Sequence, residues 1–286
     1  MDQVRKRPAW LRALGSEDPP AIVSVGGVSY RCANVLKHDS WAATALYEDE
    51  GDQRIICKFG RQQPAFGIPL GWLGRALVRR EVFFLKRLTN IAQVPDELGP
   101  VSVNGKTLPY ALARTFVDGE PFRTADQVDA AFFASLRALL DDIHASGMAY
   151  VDLHKRENII VSRDRVPFII DFQVSLSIGP RWPASGLLRR HLVTWLQEVD
   201  DFNYRKHLAR CLPHLLTPEQ VETYLRPPVM IRVHRAFAVP LRSARRQLLV
   251  WLAVRDPSGH ASSEAEPEHA LRQKRQRPPE DPEAAQ

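Results

Sequence analysis

The segment from Ile143 to Gln173 constrains the fold of this chain more than any other part of its sequence. It contains a β-branched apolar run after Asn158, a polar pair at Asp164-Arg165, and a second apolar run that ends before Asp171. Two such runs around a short polar turn predict a β-hairpin. A turn centred between Asp164 and Arg165 places Asn158 opposite Asp171, with Cβ atoms roughly 5 Å apart.

A third polar residue, Asp152, lies in the loop just before this hairpin. Carboxylate and amide oxygens are the ligands that a hard cation such as magnesium prefers, and magnesium needs few protein carboxylates. Asp152, Asn158 and Asp171 therefore form a candidate cation site. The same three residues are also compatible with ordinary polar positions in a loop and at a strand end.

Length and composition restrict the classes of protein that fit. The 286 residues can bury a sizeable core in one large domain or two lobes. The net charge of +6 is mild and indicates anionic partners without selecting one. Three widely spaced cysteines favour neither a disulfide framework nor a zinc site, which indicates a reducing compartment.

The two ends of the sequence carry no signal for membrane insertion. The first 14 residues lack the apolar core of a signal peptide, and the apolar run Leu248 to Val254 is too short to span a bilayer. We expect a soluble or peripheral intracellular protein. The basic cluster Arg5-Lys6-Arg7 before Trp10 either contacts an anionic membrane surface or belongs to a loosely docked arm.

Four short apolar runs between Ala21 and Phe59 predict antiparallel strands. These runs are Ala21 to Val25, Val28 to Val35, Thr44 to Tyr47 and Gln53 to Phe59. In the last run Lys58 shares a face with Ile56. After a loop rich in glycine and proline, Arg75 to Leu88 is predicted as a helix whose apolar stripe includes Glu81. A buried carboxylate needs a partner, either Lys58 or, at the edge of the stripe, Arg75 or water.

The remaining chain changes from strands to helices. A hairpin is predicted from Val101 to Val117 around Asn104-Gly105, with Tyr110 to Val117 as its second strand. Beyond it we expect a helix that follows a capping box at Thr124 and ends before Gly147. Further helices are predicted over Leu187 to Cys211, from Thr217, and over Arg232 to Val254, before a tail whose composition predicts disorder.

These features in chain order resemble the protein-kinase-like superfamily over roughly residues 25 to 220. The resemblance implies an α+β, bilobal protein-kinase-like fold, with a small antiparallel β-rich N-lobe carrying one main helix and a larger helical C-lobe. The predicted domains are an N-terminal arm (1–20), the N-lobe (21–117), the C-lobe (118–255) and a disordered tail (256–286). Within this superfamily, the sequence is similar in style to atypical bacterial members, namely the lipopolysaccharide Kdo/heptose kinases, and to the RIO-type kinases.

The resemblance also implies roles for individual residues. Lys58 would hold the ATP phosphates and Glu81 would fix Lys58, while Asp152 would orient the acceptor hydroxyl and accept its proton. Asn158 and Asp171 would hold magnesium. The cofactors implied are therefore ATP and magnesium.

Several positions depart from the family pattern. Tyr150-Val151 replaces His-Arg before Asp152, so control by activation-loop phosphorylation is not expected. Asn158 follows Asp152 by six positions where the family has five. Either the loop bulges by one residue, or Glu157 takes over part of the metal's ligation. Either His154 or Lys155 is available for the γ-phosphate.

The phosphate-binding loop and its surroundings depart further. The three glycine positions of the family's loop correspond to Lys37, Asp39 and Ala42, which leaves backbone amides and the Ser40 hydroxyl as phosphate donors. Gln173 replaces the last glycine of Asp-Phe-Gly. Asp200 or Asp201 either braces the catalytic loop or is a solvated helix acid.

The sequence thus predicts an ATP-dependent kinase acting on a hydroxyl of a protein Ser/Thr or of a lipopolysaccharide core sugar. The alternative is a nucleotide-binding pseudokinase that serves as an interaction module. The expected partners are ATP and a hydroxyl-bearing acceptor, with no specific nucleic acid, since the basic helix from Arg232 carries as much apolar as basic surface. The expected location is the cytoplasm, with peripheral contact to an anionic inner-membrane surface.

Overall fold

The computed structural model describes residues 9–64, 67–177, 186–228 and 231. Within these, one compact unit comprises the chain up to Val78 together with Leu98–Glu120, and a second comprises Arg79–Glu97 and the chain from Pro121 on. The chain is α+β, with an antiparallel sheet in its N-terminal region and helices after it, as predicted.

The first unit is built on a seven-stranded sheet in the order β6-β5-β1-β2-β3-β4-β7. Its strands are β1 (Ile22–Val25), β2 (Val28–His38), β3 (Ala42–Glu48), β4 (Arg54–Gly60), β5 (Val101–Val103), β6 (Lys106–Thr107) and β7 (Ala111–Thr115). The first four strands pair consecutively and antiparallel, which confirms the prediction.

The two faces of β4 separate as the alternation of its residues predicts. Ile55, Cys57 and Phe59 are fully buried in one apolar cluster, whereas Ile56 packs with Leu36 and Leu46 in another. The chain therefore has apolar side chains on both faces of the central strand, and Lys58 lies on the Ile56 face.

The hairpin predicted from Val101 to Val117 is shorter than expected. Asn104 and Gly105 both adopt positive φ, 48° and 75°, so the turn is complete in two residues and β5 pairs at once with β6. This is the backbone that an Asn-Gly turn favours. The strand predicted from Tyr110 to Val117 is observed as β7 and pairs with β4, not with β5.

The segment that precedes β1 packs closely on the first unit. The Arg61 side chain is buried and donates to the carbonyl oxygens of Trp10 (2.8 Å) and Ser40 (2.7 Å), among others. The backbone amide of Ala13 donates to the Asp39 carbonyl oxygen at 2.8 Å, and Ala13 is fully buried. Residues 9–14 are thus fixed over the β2–β3 turn.

Helix α1 (Gly71–Arg87) begins four residues before the predicted start at Arg75. Gly71 and Gly74, which suggested a loop, lie inside this helix. The helix passes close to the end of β4 at Gly74. A Cβ atom on Gly74 would lie 2.1 Å from the Arg61 carbonyl oxygen, and one on Gly60 would lie 2.6 Å from the Gly74 carbonyl oxygen. Glycine is needed here for close backbone approach, not for a turn.

The second unit contains most of the helices. Its further elements are β8 (Gly119–Pro121) at the boundary, α2 (Ala130–Ala145), β9 (Met148–Ala149), β10 (Ile159–Ser162), β11 (Pro167–Ile169), β12 (Leu176–Ser177), α3 (Gly186–Cys211) and α4 (Pro218–Leu225). β10 pairs antiparallel with β11, and β9 with β12. The predicted apolar stripe of α2 is buried along its length, at Phe132, Leu136, Leu139, Leu140 and Ile143.

The helix starts follow their capping residues. The capping box of Thr124 and Gln127 closes only a 3-10 turn, so α2 begins at Ala130, with Asp129 as its N-cap, and not directly after Thr124 as expected. Asp129 accepts from the Phe132 amide at 2.8 Å. The prediction for α4 is confirmed, because Thr217 caps a helix that begins at Pro218.

No helix among the described residues is long and apolar enough to cross a membrane. The helix predicted over Arg232 to Val254 and the tail from residue 256 lie outside the described residues.

Candidate active site

The loop before Asp152 is held by one buried carboxylate on α3. Asp200 accepts from the backbone amides of Tyr150 (2.7 Å) and Val151 (2.8 Å), and its side chain is fully buried. Val151 has φ of +75°, which is strained for a β-branched residue. The two hydrogen bonds stabilise this backbone, so Asp200 fixes the direction in which Asp152 leaves the loop.

The sequence left open whether Asp200 or Asp201 braces the loop, and the structure selects Asp200. Asp201 instead contacts Arg137, with 2.5 Å between Oδ1 and Nη1. Burial raises the pKa of Asp200, while the hydrogen bond and charge of His144 and the two amides lower it. His144 Nε2 lies 3.3 Å from Asp200 Oδ2.

Asp152 and Asn158 are in direct contact. Asp152 is buried, and its Oδ2 accepts from Asn158 Nδ2 at 2.9 Å and from Lys155 Nζ at 2.7 Å. A 3-10 turn over Arg156–Asn158 accommodates the extra residue between them. Asn158 is buried whereas Glu157 is exposed, which favours a bulged loop over ligation by Glu157.

Both basic candidates for the γ-phosphate lie beside Asp152. Lys155 forms the closer contact, and His154 Nδ1 lies 3.4 Å from Asp152 Oδ1. Both side chains are nearly half exposed, which allows either to reach a ligand. The structure thus adds a geometric preference for Lys155 to a choice that the sequence left open.

The predicted register of the hairpin is wrong by one residue. Ile159 pairs with Ile169, and the Ile170 amide donates to the Asn158 carbonyl oxygen at 3.0 Å, so Asn158 lies opposite Ile170 and not opposite Asp171. The cause is a three-residue loop, in which Ser162 pairs with Val166 and Arg165 adopts a φ of +58°. Such loops with a left-handed third residue are a common hairpin type.

The buried Tyr150 links the loop before Asp152 to the end of the hairpin, next to Asp171. The buried Tyr150 hydroxyl donates to the Ile170 carbonyl oxygen at 2.6 Å. Burial raises the pKa of Tyr150 well above its ordinary value, as do the charges of Asp171 and Asp152, while a hydrogen bond with Asn158 lowers it. Tyr150, whose residue type departs from the family pattern, thus joins the segment before Asp152 to the residue before Asp171.

Asp171 has an unusual backbone conformation for an aspartate. Its φ is +64°, and the Gln173 amide approaches its Oδ1 at 3.4 Å. The side chain is half-buried at the end of the hairpin. Few non-glycine residues adopt this region, and aspartate is among those that adopt it most often.

The donor types of Asp152, Asn158 and Asp171 suit a hard cation. Two carboxylates and one amide oxygen match the ligands that magnesium prefers, since it usually keeps several waters. The Asn158 amide nitrogen donates to Asp152, which leaves the amide oxygen available to a cation. In the described part of the chain, no group of three or more His, Cys, Asp or Glu side chains is arranged to hold a metal ion, so any such site here depends on the amide.

Lys58 and Glu81 belong to different units and are described separately. Lys58 lies on β4 between Thr44 of β3 and Leu112 of β7, and it is half-buried. Glu81 is buried on the stripe of α1 with only 1% of its surface exposed, between Val78 and Phe84. Neither side chain is without a partner. The predicted position of Glu81 inside the stripe is thus observed.

The β2–β3 turn, which contains Ser40, is closed by its own aspartate. Asp39 Oδ1 accepts from the backbone amides of Trp41 (2.7 Å) and Ala42 (2.9 Å), and its Oδ2 lies 3.2 Å from Lys37 Nζ. Although burial raises the pKa of Asp39, Lys37 and the two amides lower it below its ordinary value. Amides expected to be available to phosphate are therefore already bonded, and Ser40 itself accepts from Arg61 through its carbonyl oxygen.

Comparisons with known proteins give a structural likeness alone. No family model matches the sequence, and no curated protein matches it. The kinase PK-1 of Cydia pomonella granulovirus matches with 19% identity and a TM-score of 0.40, over 52% of this chain and 53% of that chain. The BubR1 kinase domain matches with 13% identity and a TM-score of 0.41, over 56% and 51%. The chain thus spans about half the length of these structures.

Proposed function

We propose that this chain is a Mg-ATP-dependent phosphotransferase that transfers the γ-phosphate to a hydroxyl group. The observation that carries the proposal is the direct contact of Asp152 with Asn158 in a loop that the buried Asp200 holds in place. Phosphoryl transfer needs positive charge along the triphosphate, oxygen ligands for a metal ion, and one carboxylate beside the acceptor. The residues of this site meet the last two of these needs.

Each residue of the second unit has a distinct role in the proposal. Asp152 orients the acceptor hydroxyl and accepts its proton, because it is a buried carboxylate whose position is fixed through Asp200. Asn158 and Asp171 hold magnesium, which neutralises charge on the phosphates when bound. Lys155, 2.7 Å from Asp152, is the basic residue nearest to the reacting group and contacts the γ-phosphate.

Three residues complete the proposed nucleotide site. Lys58 contacts the α- and β-phosphates, Glu81 fixes Lys58, and the Ser40 hydroxyl donates to phosphate. The support for Glu81 is its burial on α1, since a buried carboxylate is costly without a cationic partner. The closed turn at Asp39 predicts a weaker phosphate cradle than a glycine-rich loop provides, because two of its amides already donate to the aspartate.

The proposal extends to an acceptor class and a setting. We propose an atypical bacterial member of the protein-kinase-like superfamily, similar to the lipopolysaccharide Kdo/heptose kinases and RIO-type kinases, acting on an envelope sugar or a protein Ser/Thr. Its support is Tyr150-Val151 in place of His-Arg. A cytoplasmic protein with peripheral contact to an anionic membrane, through Arg5-Lys6-Arg7, is the matching location.

The test is phosphate transfer from labelled Mg-ATP to a panel of hydroxyl acceptors. Asp152→Asn keeps the hydrogen-bonding shape but removes the base, so turnover should fall by about 10²–10⁴-fold while nucleotide binding, measured by thermal shift, remains. Asp164→Asn is the matched control, because Asp164 is an exposed acid in the hairpin loop of the same unit. Its turnover should equal that of the wild type.

Two results would contradict the proposal in different ways. Wild-type turnover in Asp152→Asn would remove Asp152 from the mechanism. Nucleotide stabilisation of the wild type without transfer to any acceptor, and without release of phosphate, would indicate a pseudokinase that acts as an interaction module.

A further inference from the structure

Two arginines of the second unit donate to the same short segment downstream of Asp171. Arg80 on α1 donates from Nη2 to the Ser175 carbonyl oxygen, and Arg189 on α3 donates from Nε to the Ser177 carbonyl oxygen at 2.7 Å. The two acceptor residues are two positions apart, so they are separated by at most about 7 Å. Two guanidinium groups are therefore brought to one stretch of backbone.

The positive charge at this point is not balanced by the described residues. Neither Arg80 nor Arg189 forms an ion pair with a carboxylate in the described ranges, and the other contact of Arg80 is with the Phe84 ring, 5.4 Å from the guanidinium carbon. Burial lowers the pKa of Arg80, and the positive charge of Arg189 lowers it further. A like charge nearby disfavours each cation, and an anion bound between the two would relieve this.

Most of the hydrogen-bonding capacity of the two side chains remains for a ligand. A guanidinium has five N–H donors in a planar fork, and each arginine donates to one carbonyl oxygen of the segment. These carbonyl contacts fix the direction of each side chain and reduce the entropy lost on binding. Planar, preorganised arginines recognise phosphate and carboxylate groups through paired hydrogen bonds.

We propose that Arg80 and Arg189 together form a binding site for an oxyanion of the phosphate class, beside Ser175 and Ser177. The site stands independently of the proposed phosphotransfer. If that function also holds, the site lies within a few residues of Asp171 along the chain, and acceptors that carry a phosphate group would bind more tightly than neutral ones. An arrangement in which the arginines merely support the segment predicts no response to phosphate.

The experiment is a titration of the full chain with inorganic phosphate, and a parallel titration with chloride at equal ionic strength is the control. Binding is measured by isothermal calorimetry and by the shift in the thermal unfolding temperature. Phosphate should bind and raise the unfolding temperature, whereas chloride should not. Arg80→Gln and Arg189→Gln should each weaken phosphate binding at least about 10-fold, because each removes a charge-assisted contact. Arg79→Gln and Arg190→Gln remove the same charge from exposed neighbouring positions and should bind like the wild type.

A titration repeated with a saturating non-hydrolysable Mg-ATP analogue separates this site from the proposed nucleotide site, since occupation of the latter should leave phosphate binding unchanged. Loss of phosphate binding in the presence of the analogue, equal effects of Arg79→Gln and Arg80→Gln, or equal responses of the wild type to phosphate and chloride would each overturn the proposal. If a glutamine variant does not fold, Arg80→Lys and Arg189→Lys keep the charge but lose the planar fork, and weaker phosphate binding is again expected.

Discussion

Replacing Asp200 by asparagine removes the charge that braces the loop before Asp152 while hardly changing the size of the side chain. The carboxylate accepts from two backbone amides, at 2.7 and 2.8 Å, in a fully buried position. Asparagine has a single acceptor oxygen, so its NH₂ group must face one of these two amides. Either Tyr150 or Val151 then keeps a buried N–H group without an acceptor.

The magnitude follows from these contacts. An unsatisfied buried donor costs about 1–3 kcal/mol, and the bond that remains is neutral and about half as strong as the charged one. Burial also raises the pKa of Asp200, which shows that its charge is costly there, and removing it offsets part of the loss. We expect Asp200→Asn to destabilise the loop by about 3 kcal/mol.

Hydrogen exchange at the Tyr150 and Val151 amides measures this loss locally, without assuming that the two units unfold together. Protection should fall by about 100-fold, since 1.4 kcal/mol corresponds to about tenfold. Asp201→Asn is the matched control, because Asp201 loses only partly exposed ion pairs with Arg137 and Arg205, each worth about 1 kcal/mol or less. Equal losses of protection in the two variants, or none in Asp200→Asn, would refute the brace.

Two further predictions concern pH and packing. The pKa of His207 is lowered from 6.5 to about 4, first by burial, and its stabilising contribution is therefore complete above pH 6.5 and lost as the pH falls through about 4. This difference in pKa corresponds to about 3 kcal/mol of stability. As the pH is lowered from about 7 to about 5 and 4, the urea midpoint of unfolding should therefore fall more steeply for the wild type than for His207→Gln. Parallel curves for the two proteins would contradict the assignment. Gly74→Ala places a Cβ atom 2.1 Å from the Arg61 carbonyl oxygen and should lower the free energy of unfolding, measured by thermal unfolding, by about 3 kcal/mol. A Cβ atom on Gly71 has its nearest neighbours at 3.5 Å, so Gly71→Ala should be neutral or stabilising. Equal destabilisation by the two alanines would show that the close approach at Gly74 is not limiting.

The strands of the first unit could be predicted because their signals are local. Alternation of apolar residues and polar turns located β1 to β4, and Asn104-Gly105 located its turn. The pairing of strands was harder to predict, because the local sequence pattern does not indicate that β7 pairs with β4 and not with β5. Gly74 shows the same limit, since its close contact with Arg61 arises only after the chain has folded.

At the candidate site, residue types were predictable but their geometry was not. Asp152, Asn158 and Asp171 were selected from order and spacing, and in the structure Asp152 and Asn158 are in direct contact while Asp171 follows the residue bonded by Tyr150. The hairpin register failed because a three-residue loop is possible only if Arg165 adopts a positive φ, an unfavourable state for a non-glycine residue. The sequence signal for that loop was Ser162, a residue type that favours turns. In the structure its side chain accepts from the Val166 amide at 3.0 Å.

Strain on both sides of Tyr150 gives the strongest physical argument that this region is more than a stable loop. Val151 and Asp171 both have positive φ, +75° and +64°, and each adjoins or belongs to the predicted catalytic set. At the β-branched Val151 this conformation costs about 1–3 kcal/mol and persists only where surrounding contacts enforce it, whereas aspartate adopts it more readily. Here a buried carboxylate on α3 enforces the first, and the Tyr150 hydroxyl bonds to the residue before the second. Because the strain at Val151 is held by a hydrogen bond to the backbone next to Asp152, we expect the fold to preserve the position of Asp152.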